Sequence, residues 1–263
     1  FRGRNRGYPV SRARDPFGAM KLDVLFTPAG LASHEVAGRA VFVVDVLRTT
    51  TVVCAALFRG ARAVVPVASV EEASRLAQTL GPDAALLTGE RNGDPIEGFD
   101  LGNSPLEMTE PRVRGKTLVM TTTNGTAALL ATQGAAEVYA AAAVNLTVAG
   151  ERARGILQER NDLVILCAGR ESRFGLDDAY AAGRIALFAL GGSRRRKGLN
   201  DAALVAVDLA RRYRDWTGPL SRSEAGRQLE RAGRGADLVE AARQDAYPVV
   251  PLLKDRRITV EGS

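Results

Sequence analysis

The sequence is poor in the residues on which several common active sites depend. Its 263 residues include one histidine, His34, and two cysteines, Cys54 and Cys167. One histidine cannot form a multi-histidine zinc site or a paired-histidine metalloprotease helix, and a serine–histidine–aspartate triad is nearly excluded. Two cysteines do not make a disulfide framework, and they fit the reducing cytoplasm, which is the expected location.

Other sequence signatures are missing as well. The chain has no Gly-x-x-x-x-Gly-Lys-Ser/Thr phosphate loop and no Gly-x-Ser-x-Gly nucleophile elbow. No apolar run is long enough to span a bilayer, so no membrane partner is expected. Aromatic residues are only 5% of the chain, which disfavours the stacking platforms of single-strand nucleic-acid binders. Catalysis must then depend on carboxylates, arginines, hydroxyls, backbone amides, a metal ion or Cys167.

The net charge is less informative than its total of +6 suggests. Residues 1–19 contain five arginines and one aspartate, which leaves 31 basic and 29 acidic side chains in the rest. A nearly neutral remainder gives no reason to expect a nucleic-acid partner. Residues 1–19 are predicted to be a disordered basic extension, and residues 20–263 to form the folded part of the chain.

Strand-like apolar runs alternate with helical patterns as far as Cys167, which is typical of a mainly parallel sheet. Strands are predicted at residues 41–45, 63–68, 86–91, 116–121, 137–142, 162–167 and 257–260. Helices dominate the C-terminal third, at about residues 177–190, 200–213, 222–232 and 235–244. The predicted fold class is α/β, with three α/β/α layers. A division into two α/β lobes, with a boundary near residues 135–150, is left open.

Polar groups follow several predicted strands, at the edge where parallel sheets bind ligands. These groups are Asp45 with Arg48, Thr49 and Thr50; Glu90 with Arg91; Thr122, Thr123, Asn124 and Gly125; and Cys167, followed by Asp177 and Asp178. Each group also has a simpler structural interpretation, as a helix cap, a tight turn, a first-turn charge or an exposed ion pair. Their common location favours one shared site.

Carboxylates beside arginines and N–H donors suit phosphoryl chemistry. Mg²⁺ prefers hard oxygen ligands and shares them with phosphate oxygens, while arginine and backbone amides neutralise the phosphoryl charge. Without a nucleotide-binding loop, a phosphate monoester is a better substrate candidate than ATP. The long connection at residues 91–115 is rich in Gly, Pro and Asn, so it is predicted to be functional or to act as a lid.

Several segments together resemble the 2-phosphosulfolactate phosphatase family over most of residues 20–255. The resemblance is carried by Val43-Val-Asp-Val-Leu-Arg-Thr-Thr-Thr51, Pro66-Val-Ala-Ser-Val-Glu-Glu72, Gly89-Glu-Arg91, Gly98-Phe-Asp-Leu-Gly-Asn-Ser-Pro105, Thr121-Thr-Thr-Asn-Gly-Thr126, Cys167-Ala-Gly169 and Phe174-Gly-Leu-Asp-Asp178. The chain departs from the family at Asp177-Asp178, where Glu-Asp is frequent, and at Arg170-Glu-Ser-Arg173, where small residues are common.

The resemblance implies a Mg²⁺-dependent phosphatase domain at residues 20–263. Its reaction would be hydrolysis of 2-phosphosulfolactate, or a related 2-phospho-hydroxy acid, to 3-sulfolactate and phosphate, a step of coenzyme M biosynthesis. The hypothesis assigns catalysis to Asp45, Arg48 and Glu90, the metal to Glu90, Asp177 and Asp178, and substrate binding to Thr49, Thr50, Arg91, Asn103, Ser104, Thr122, Thr123, Asn124 and Gly125. Asp45 would be either a metal ligand or the nucleophile that forms an aspartyl-phosphate. A homodimer is left open.

Two rival functions stay open on the sequence alone. Cys167 and Arg173 have the Cys-x₅-Arg spacing of metal-free cysteine phosphatases. That spacing is weak support, because 32 of the 263 residues are arginine and the residue directly before Cys167 is not a histidine. The second rival is a non-catalytic binder of phosphorylated or sulfonated acids, although such a site would not need so many carboxylates.

Overall fold

The computed structural model describes residues 20–160, 162–193 and 196–260. These residues form a mixed sheet with helices on both faces, which confirms the predicted α/β class and its three layers. The strands are β1 Lys21–Leu25, β2 Ala40–Val44, β3 Ala63–Pro66, β4 Ala85–Arg91, β5 Asp94–Pro95, β6 Thr117–Thr121, β7 Glu137–Ala141, β8 Asp162–Cys167, β9 Pro251–Lys254 and β10 Arg257–Val260. The basic extension predicted at residues 1–19 lies outside the described residues.

The sheet contains two groups of parallel strands, in the order β1-β8-β2-β7-β9-β10-β3-β6-β4-β5. The first group is β1, β8, β2 and β7, and the second is β3, β6 and β4. The β9–β10 hairpin lies between them and is antiparallel to both neighbours. The two groups therefore run in opposite directions along the sheet, a detail that the prediction of a mainly parallel sheet did not include.

Sheet twist reduces the angle between the two groups. Each strand is rotated by about 20–25° relative to its neighbour, so the rotation accumulated over the five steps from β2 to β6 is roughly 110°. Strands that would be antiparallel in a flat sheet are therefore no longer directly opposed. Contacts between the segments that follow these two strands show the result, since the Thr49 hydroxyl lies 3.2 Å from the Thr122 hydroxyl. The carboxyl ends of oppositely directed strands can thus contribute to one site.

The helices cover both faces of the sheet. Their bounds are α1 Thr49–Phe58, α2 Val70–Leu80, α3 Glu110–Val113, α4 Gly125–Ala131, α5 Leu146–Arg160, α6 Leu176–Ala189, α7 Asp201–Arg212, α8 Thr217–Arg222, α9 Glu224–Arg231 and α10 Gly235–Ala241. Alternate residues of β2 point to opposite faces. Phe42 and Val44 pack with side chains of α5, α6 and α7, whereas Val41 and Val43 pack with side chains of α1 and α4.

Most predicted elements lie within a few residues of their expected bounds, and the differences are local. β1 and β9 were not predicted as strands, and α8 was not predicted as a helix, since the helix predicted at residues 222–232 corresponds to α9. The predicted loop at residues 91–115 contains β5, a short 3₁₀ turn at Pro105–Glu107 and α3.

Within the described part of the chain, no helix combines the length and apolarity that crossing a membrane requires.

The sheet continues across the predicted lobe boundary. β2 lies before residues 135–150 in the sequence and β8 after them, yet these two strands pair in register from Val41↔Val164 to Val44↔Cys167. One hydrophobic cluster also contains residues of both strand groups, including Val43 from β2 and Met120 from β6. The division into two lobes stays a prediction.

Candidate active site

A cavity of about 140 Å³ lies where the end of β2 meets the ends of β4 and β6. We call it the central cavity. Seven residues that the sequence assigned to the site line it: Asp45, Arg48, Thr49, Glu90, Asn103, Thr123 and Asn124. Side chains that are separated by as many as 79 positions, from Asp45 to Asn124, therefore share one space.

Asp45 is the first residue after β2, and hydrogen bonds fix the turn that presents it. The Thr50 N–H donates to the Asp45 carbonyl over 2.9 Å, and the Thr49 N–H donates to Asp45 Oδ1 over 3.2 Å. The Thr50 hydroxyl accepts from the Asp45 N–H and donates to the Asp45 carbonyl. Asp45 thus stabilises the start of α1 and also faces the central cavity.

The start of α4 approaches Asp45 so closely that a glycine is required at position 125. A Cβ atom on Gly125 would lie 2.3 Å from Asp45 Oδ2 and 2.3 Å from Thr49 Oγ1. Thr122 and Gly125 are both buried, and Thr122 Oγ1 accepts a hydrogen bond from the Thr126 N–H over 3.0 Å. These two residues position the turn after β6, while their neighbours in the turn line the cavity.

Asp45 also lines a smaller cavity of about 50 Å³ together with Asp177 and Asp178. We call it the acidic cavity. Asp178 bridges two loops, because its Oδ1 accepts from the Val46 N–H over 2.9 Å and its Oδ2 from the Gly169 N–H over 3.0 Å. The structure therefore brings together three of the four carboxylates predicted for the site.

Burial raises the pKa of each carboxylate in this cluster. The pKa of Asp45 is raised to about 6 and that of Asp177 to about 7, and the pKa of Asp178 is raised well above its ordinary value. Repulsion from Asp45 raises the pKa values of Asp177 and Asp178 further. Arg48 lowers the pKa of Asp45 and Arg170 lowers that of Asp177, but burial outweighs both effects.

Glu90 fixes a tight hairpin at the edge of the central cavity. Asn92 and Gly93 form the two-residue turn from β4 to β5 with φ angles of 54° and 92°, the pattern of a type I′ turn. Glu90 Oε2 accepts from the Gly93 N–H over 2.6 Å, and Glu90 Oε1 accepts from the Thr123 N–H over 2.6 Å. The Thr123 hydroxyl adds a third hydrogen bond of 3.0 Å. The Glu90 carboxylate is therefore engaged in holding the two loops.

Arg48 is buried beside Asp45, and its guanidinium is held at two points. Its Nη1 donates to Asp237 Oδ2 over 2.6 Å, and its Nη2 donates to the Gly93 carbonyl over 3.0 Å. Asn103 lies near it with 4% of its surface exposed, and its buried Oδ1 has no hydrogen-bond partner among the described residues. A buried amide oxygen without a partner is unusual and points to a ligand group at this position.

Other predicted site residues lie beside the central cavity without lining it. Thr50 uses its hydroxyl in the Asp45 turn, and Arg91 donates to the Thr121 hydroxyl over 2.8 Å and to the Glu90 carbonyl over 2.9 Å. Ser104 lines a neighbouring cavity of about 250 Å³ that also contains Arg48 and Asn103. We call this third space the side cavity.

Several residues that line the central cavity were not assigned to the site by the sequence analysis. They are Gly93 and Asp94 in the hairpin turn, Arg170 and Glu171 after β8, and Gln228 and Arg234 in the α9–α10 region. Gln228 links loops on two sides, since its Nε2 donates to the Asn92 carbonyl over 3.1 Å and its Oε1 accepts from Arg170. Asparagine followed by glycine was the available signal for the β4–β5 turn. Nothing comparable marks the helical residues.

Cys167 lines neither the central cavity nor the acidic cavity. It is fully buried at the end of β8. Burial raises the pKa of its thiol well above the usual range, and the Asp178 and Asp177 carboxylates raise it further. A thiolate nucleophile needs an environment that lowers this pKa, so the surroundings of Cys167 oppose the cysteine-phosphatase alternative.

A divalent cation fits the chemistry of the carboxylate cluster. Across residues 20–160, 162–193 and 196–260, no group of three or more His, Cys, Asp or Glu side chains is arranged to hold a metal by itself. Mg²⁺ does not require such a cage, because it is usually bound by one or two carboxylates together with phosphate oxygens and water. Buried carboxylates that repel one another and lack full compensation are suitable ligands for it.

Comparison with known proteins identifies the family. A family model described as 2-phosphosulpholactate phosphatase matches residues 25–256. The chain belongs to the 2-phosphosulfolactate phosphatase family. This match spans Asp45, Glu90 and Asp177 as well as the helices that complete the central cavity.

Relatives in this family cover nearly the whole chain. A probable 2-phosphosulfolactate phosphatase of Symbiobacterium thermophilum is 39% identical over 229 residues, 87% of this chain and 97% of the relative. The probable 2-phosphosulfolactate phosphatase of Deinococcus radiodurans is 41% identical over 214 residues, covering 80% of this chain and 86% of the relative. The Clostridium acetobutylicum relative, with the same description, is 34% identical and covers 88% and 97% of the two chains.

Proposed function

We propose that the protein is a Mg²⁺-dependent phosphatase that hydrolyses 2-phosphosulfolactate, or a related 2-phospho-hydroxy acid, to the free alcohol and phosphate. In this reaction the ester bond to phosphorus is replaced by a bond to an oxygen of water, and the alcohol leaves with a proton. The observation that carries the proposal is the position of Asp45. It lines both the central cavity and the acidic cavity in a member of this family.

Two carboxylates would hold the metal ion. Asp45 and Asp177 are our choice, because both oxygens of Asp178 and both oxygens of Glu90 already accept backbone N–H groups. This assignment favours a positioning role for Glu90 over the ligand role that the sequence suggested. Mg²⁺ bound here would neutralise charge on the phosphoryl group during transfer.

Arg48 is the group best placed to bind the phosphoryl oxygens. A guanidinium has five N–H donors, and the described contacts of Arg48 occupy one at each terminal nitrogen. Arg170 and Arg234 line the same cavity and supply positive charge for the carboxylate and sulfonate of the substrate. The Asn103 amide, with its unpartnered Oδ1, would accept a hydrogen bond from the alcohol product or from water.

Two roles fit Asp45, nucleophile or metal ligand, and only the first produces a covalent phosphoryl-enzyme intermediate. As nucleophile, Asp45 would attack phosphorus, release the alcohol and form an aspartyl-phosphate that water then hydrolyses. As metal ligand, it would leave the attack to water and form no covalent intermediate. Acid quenching during turnover of a ³²P-labelled ester would label the wild-type protein only in the first case.

The primary test is phosphate release from 2-phosphosulfolactate, 2-phospholactate and 2-phosphoglycerate, measured with Mg²⁺ and again with excess EDTA. We expect release that requires Mg²⁺ and that disappears in Asp45→Asn. Asp23→Asn is a suitable control, because Asp23 pairs with Arg39 and neither residue lines the central or the acidic cavity.

Release that persists in EDTA and disappears in Cys167→Ser would support a cysteine phosphatase instead. Saturable binding of the esters without release would support a non-catalytic binder. The homodimer, the cytoplasmic location and the lack of a nucleic-acid partner remain predictions, which sedimentation, fractionation and a DNA mobility-shift assay would test.

A further inference from the structure

A buried carboxylate on α10, outside the predicted site, contacts two segments that face the substrate space. Asp237 has 4% of its surface exposed. Its Oδ2 accepts from Arg48 Nη1 over 2.6 Å, and its Oδ1 accepts from the hydroxyl of Ser104. Both sides of the ion pair are buried, with 5% of the Arg48 side chain and 6% of the Asp237 side chain exposed.

Each segment held in this way carries a group that faces the central cavity. Arg48 lines the central cavity directly, and so does Asn103, the neighbour of Ser104. Of the three cavities, Asp237 itself lines only the side cavity, which Arg48 and Asn103 also line. It therefore has no described access to the space beside Asp45 and acts there through the two residues that it holds.

The rotation of the Arg48 side chain is restricted by these contacts. Two acceptors, Asp237 Oδ2 and the Gly93 carbonyl, hold its terminal nitrogens. Arg234 Nη1 donates to the same Gly93 carbonyl over 2.7 Å. The guanidinium plane is thus set by α10 on one side and the β4–β5 turn on the other, which leaves its remaining N–H groups for a ligand.

We propose that Asp237 is a positioning residue for this site, which holds Arg48 and the Asn103–Ser104 segment in the geometry that binds the phosphoryl group. This inference rests on the proposed phosphatase function. It also assigns a role to α10, for which the sequence analysis had proposed none.

Whether Asp237→Asn weakens or strengthens phosphate binding distinguishes a positioning role from a purely electrostatic one. Removing a negative charge near Arg48 would strengthen phosphate binding if charge alone mattered. An asparagine that accepts from Arg48 with its oxygen can only donate its amide to the Ser104 hydroxyl, so the bond from Ser104 reverses and Arg48 loses its charge-assisted partner. If Asp237 positions Arg48, the variant will bind phosphate more weakly, despite the more positive site.

The test is steady-state kinetics with 2-phosphosulfolactate and the inhibition constant of inorganic phosphate, for wild type and Asp237→Asn. We expect kcat/KM to fall by about 10- to 100-fold, the usual effect of a misplaced catalytic group. We also expect the inhibition constant of phosphate to rise. Ser104→Ala, which keeps the ion pair, should show a smaller loss of about fivefold, the weight of one hydrogen bond.

Glu240→Gln is the matched control. Glu240 is also buried on α10 and also accepts from an arginine and a hydroxyl, those of Arg243 and Tyr247, but it lines none of the three cavities. It should lower the melting temperature without changing the inhibition constant of phosphate. Equal changes in both variants, or tighter phosphate binding in Asp237→Asn, would overturn the proposal.

Three further outcomes are decisive. If Asp237→Asn does not fold, judged by circular dichroism, then Ser104→Ala decides alone, and unchanged kinetics in it would overturn the proposal. If the wild-type protein releases no phosphate, the proposed function fails. An active wild type with an equally active Asp237→Asn refutes only the role of Asp237.

Discussion

At the scale of a single side chain, Asp45 occupies a functional position, and burial of its ionised carboxylate lowers the stability of the folded protein. Its carboxylate is buried, and its pKa of about 6 lies above the ordinary value for an unfolded chain. The ionised carboxylate therefore destabilises the folded protein near neutral pH. Residues that serve a reaction at the expense of stability are common in active sites.

We predict that Asp45→Asn removes activity and raises stability. The rate should fall by about 10³-fold or more, the scale for losing an acid–base or nucleophilic group. The melting temperature in EDTA should rise. The gain in the free energy of unfolding has an upper bound of about 3 kcal/mol, because the pKa of Asp45 is raised by roughly two units. Phosphate release and calorimetry test both parts, with Asp23→Asn as the control that should lose stability and keep activity.

The carboxylate cluster also predicts how stability depends on pH. The folded pKa values of Asp45 and Asp177, about 6 and about 7, lie above those of the unfolded chain. The contribution of these two carboxyl groups to the free energy of unfolding is fully present below about pH 4, where both are protonated. It is lost as the pH rises through about 7, because ionisation is less favourable in the folded protein. In EDTA, the free energy of unfolding should thus decrease between pH 5 and 8, as measured by urea titration. The double variant Asp45→Asn, Asp177→Asn should show a flatter profile, and an equally steep one would contradict the explanation.

At the scale of elements, the junction of α1 and α4 depends on a residue without a side chain. Gly125→Ala would place a Cβ atom 2.3 Å from Asp45 Oδ2. We expect about 1–3 kcal/mol of destabilisation, as for other overpacked sites, and a loss of activity of about 100-fold because Asp45 must move. Melting temperature and phosphate release measure the two effects.

Gly155→Ala is the matched control for this junction. Gly155 lies inside α5, and an added Cβ there would meet no atom within 4 Å. Alanine at this position should stabilise the protein by about 0.5–1 kcal/mol through helix propensity and leave activity unchanged. Wild-type activity in Gly125→Ala would mean that α4 can withdraw from Asp45.

Sequence patterns located the strand ends well and the helical side of the cavity poorly. Val41 to Val44 and Leu163 to Leu166 are apolar runs, followed by Asp45 and Cys167, and such runs indicate buried strands. Asp237 lies in α10 and Arg234 immediately precedes that helix, and a helical pattern shows only which face is buried. Their approach to Arg48 depends on how α10 packs, and no local pattern records that.

At the scale of the whole molecule, strand direction was beyond sequence reasoning. The alternation of strands and helices predicts parallel pairing within each group. The direction of one group relative to the other depends on the β9–β10 hairpin. β9 begins with Pro251 and has four residues, so it gives a weak strand signal. Ile258↔Val64 is the residue pair that joins β10 to β3.

The lobe question can be decided by calorimetry. One hydrophobic cluster contains Val43, Val64, Met120 and Ile258, so residues of both strand groups share a core. We predict a single unfolding transition with equal calorimetric and van't Hoff enthalpies. Ile258→Ala should lower stability by about 2–5 kcal/mol without splitting the transition. Two resolved transitions would support two lobes instead.

The hairpin that joins the two strand groups is also the last part of the sheet to leave the ribosome. Until residues 251–260 emerge, β7 and β3 lack their sheet neighbours β9 and β10. The two groups would then have unpaired edges, which promote association with other chains. Synthesis as far as residue 250 would therefore yield a nascent chain with all the carboxylates of the site and no closed sheet to bring them together. Stalled or truncated chains of this protein should accordingly depend on chaperones, and catalytic competence should arise only after translation of the hairpin.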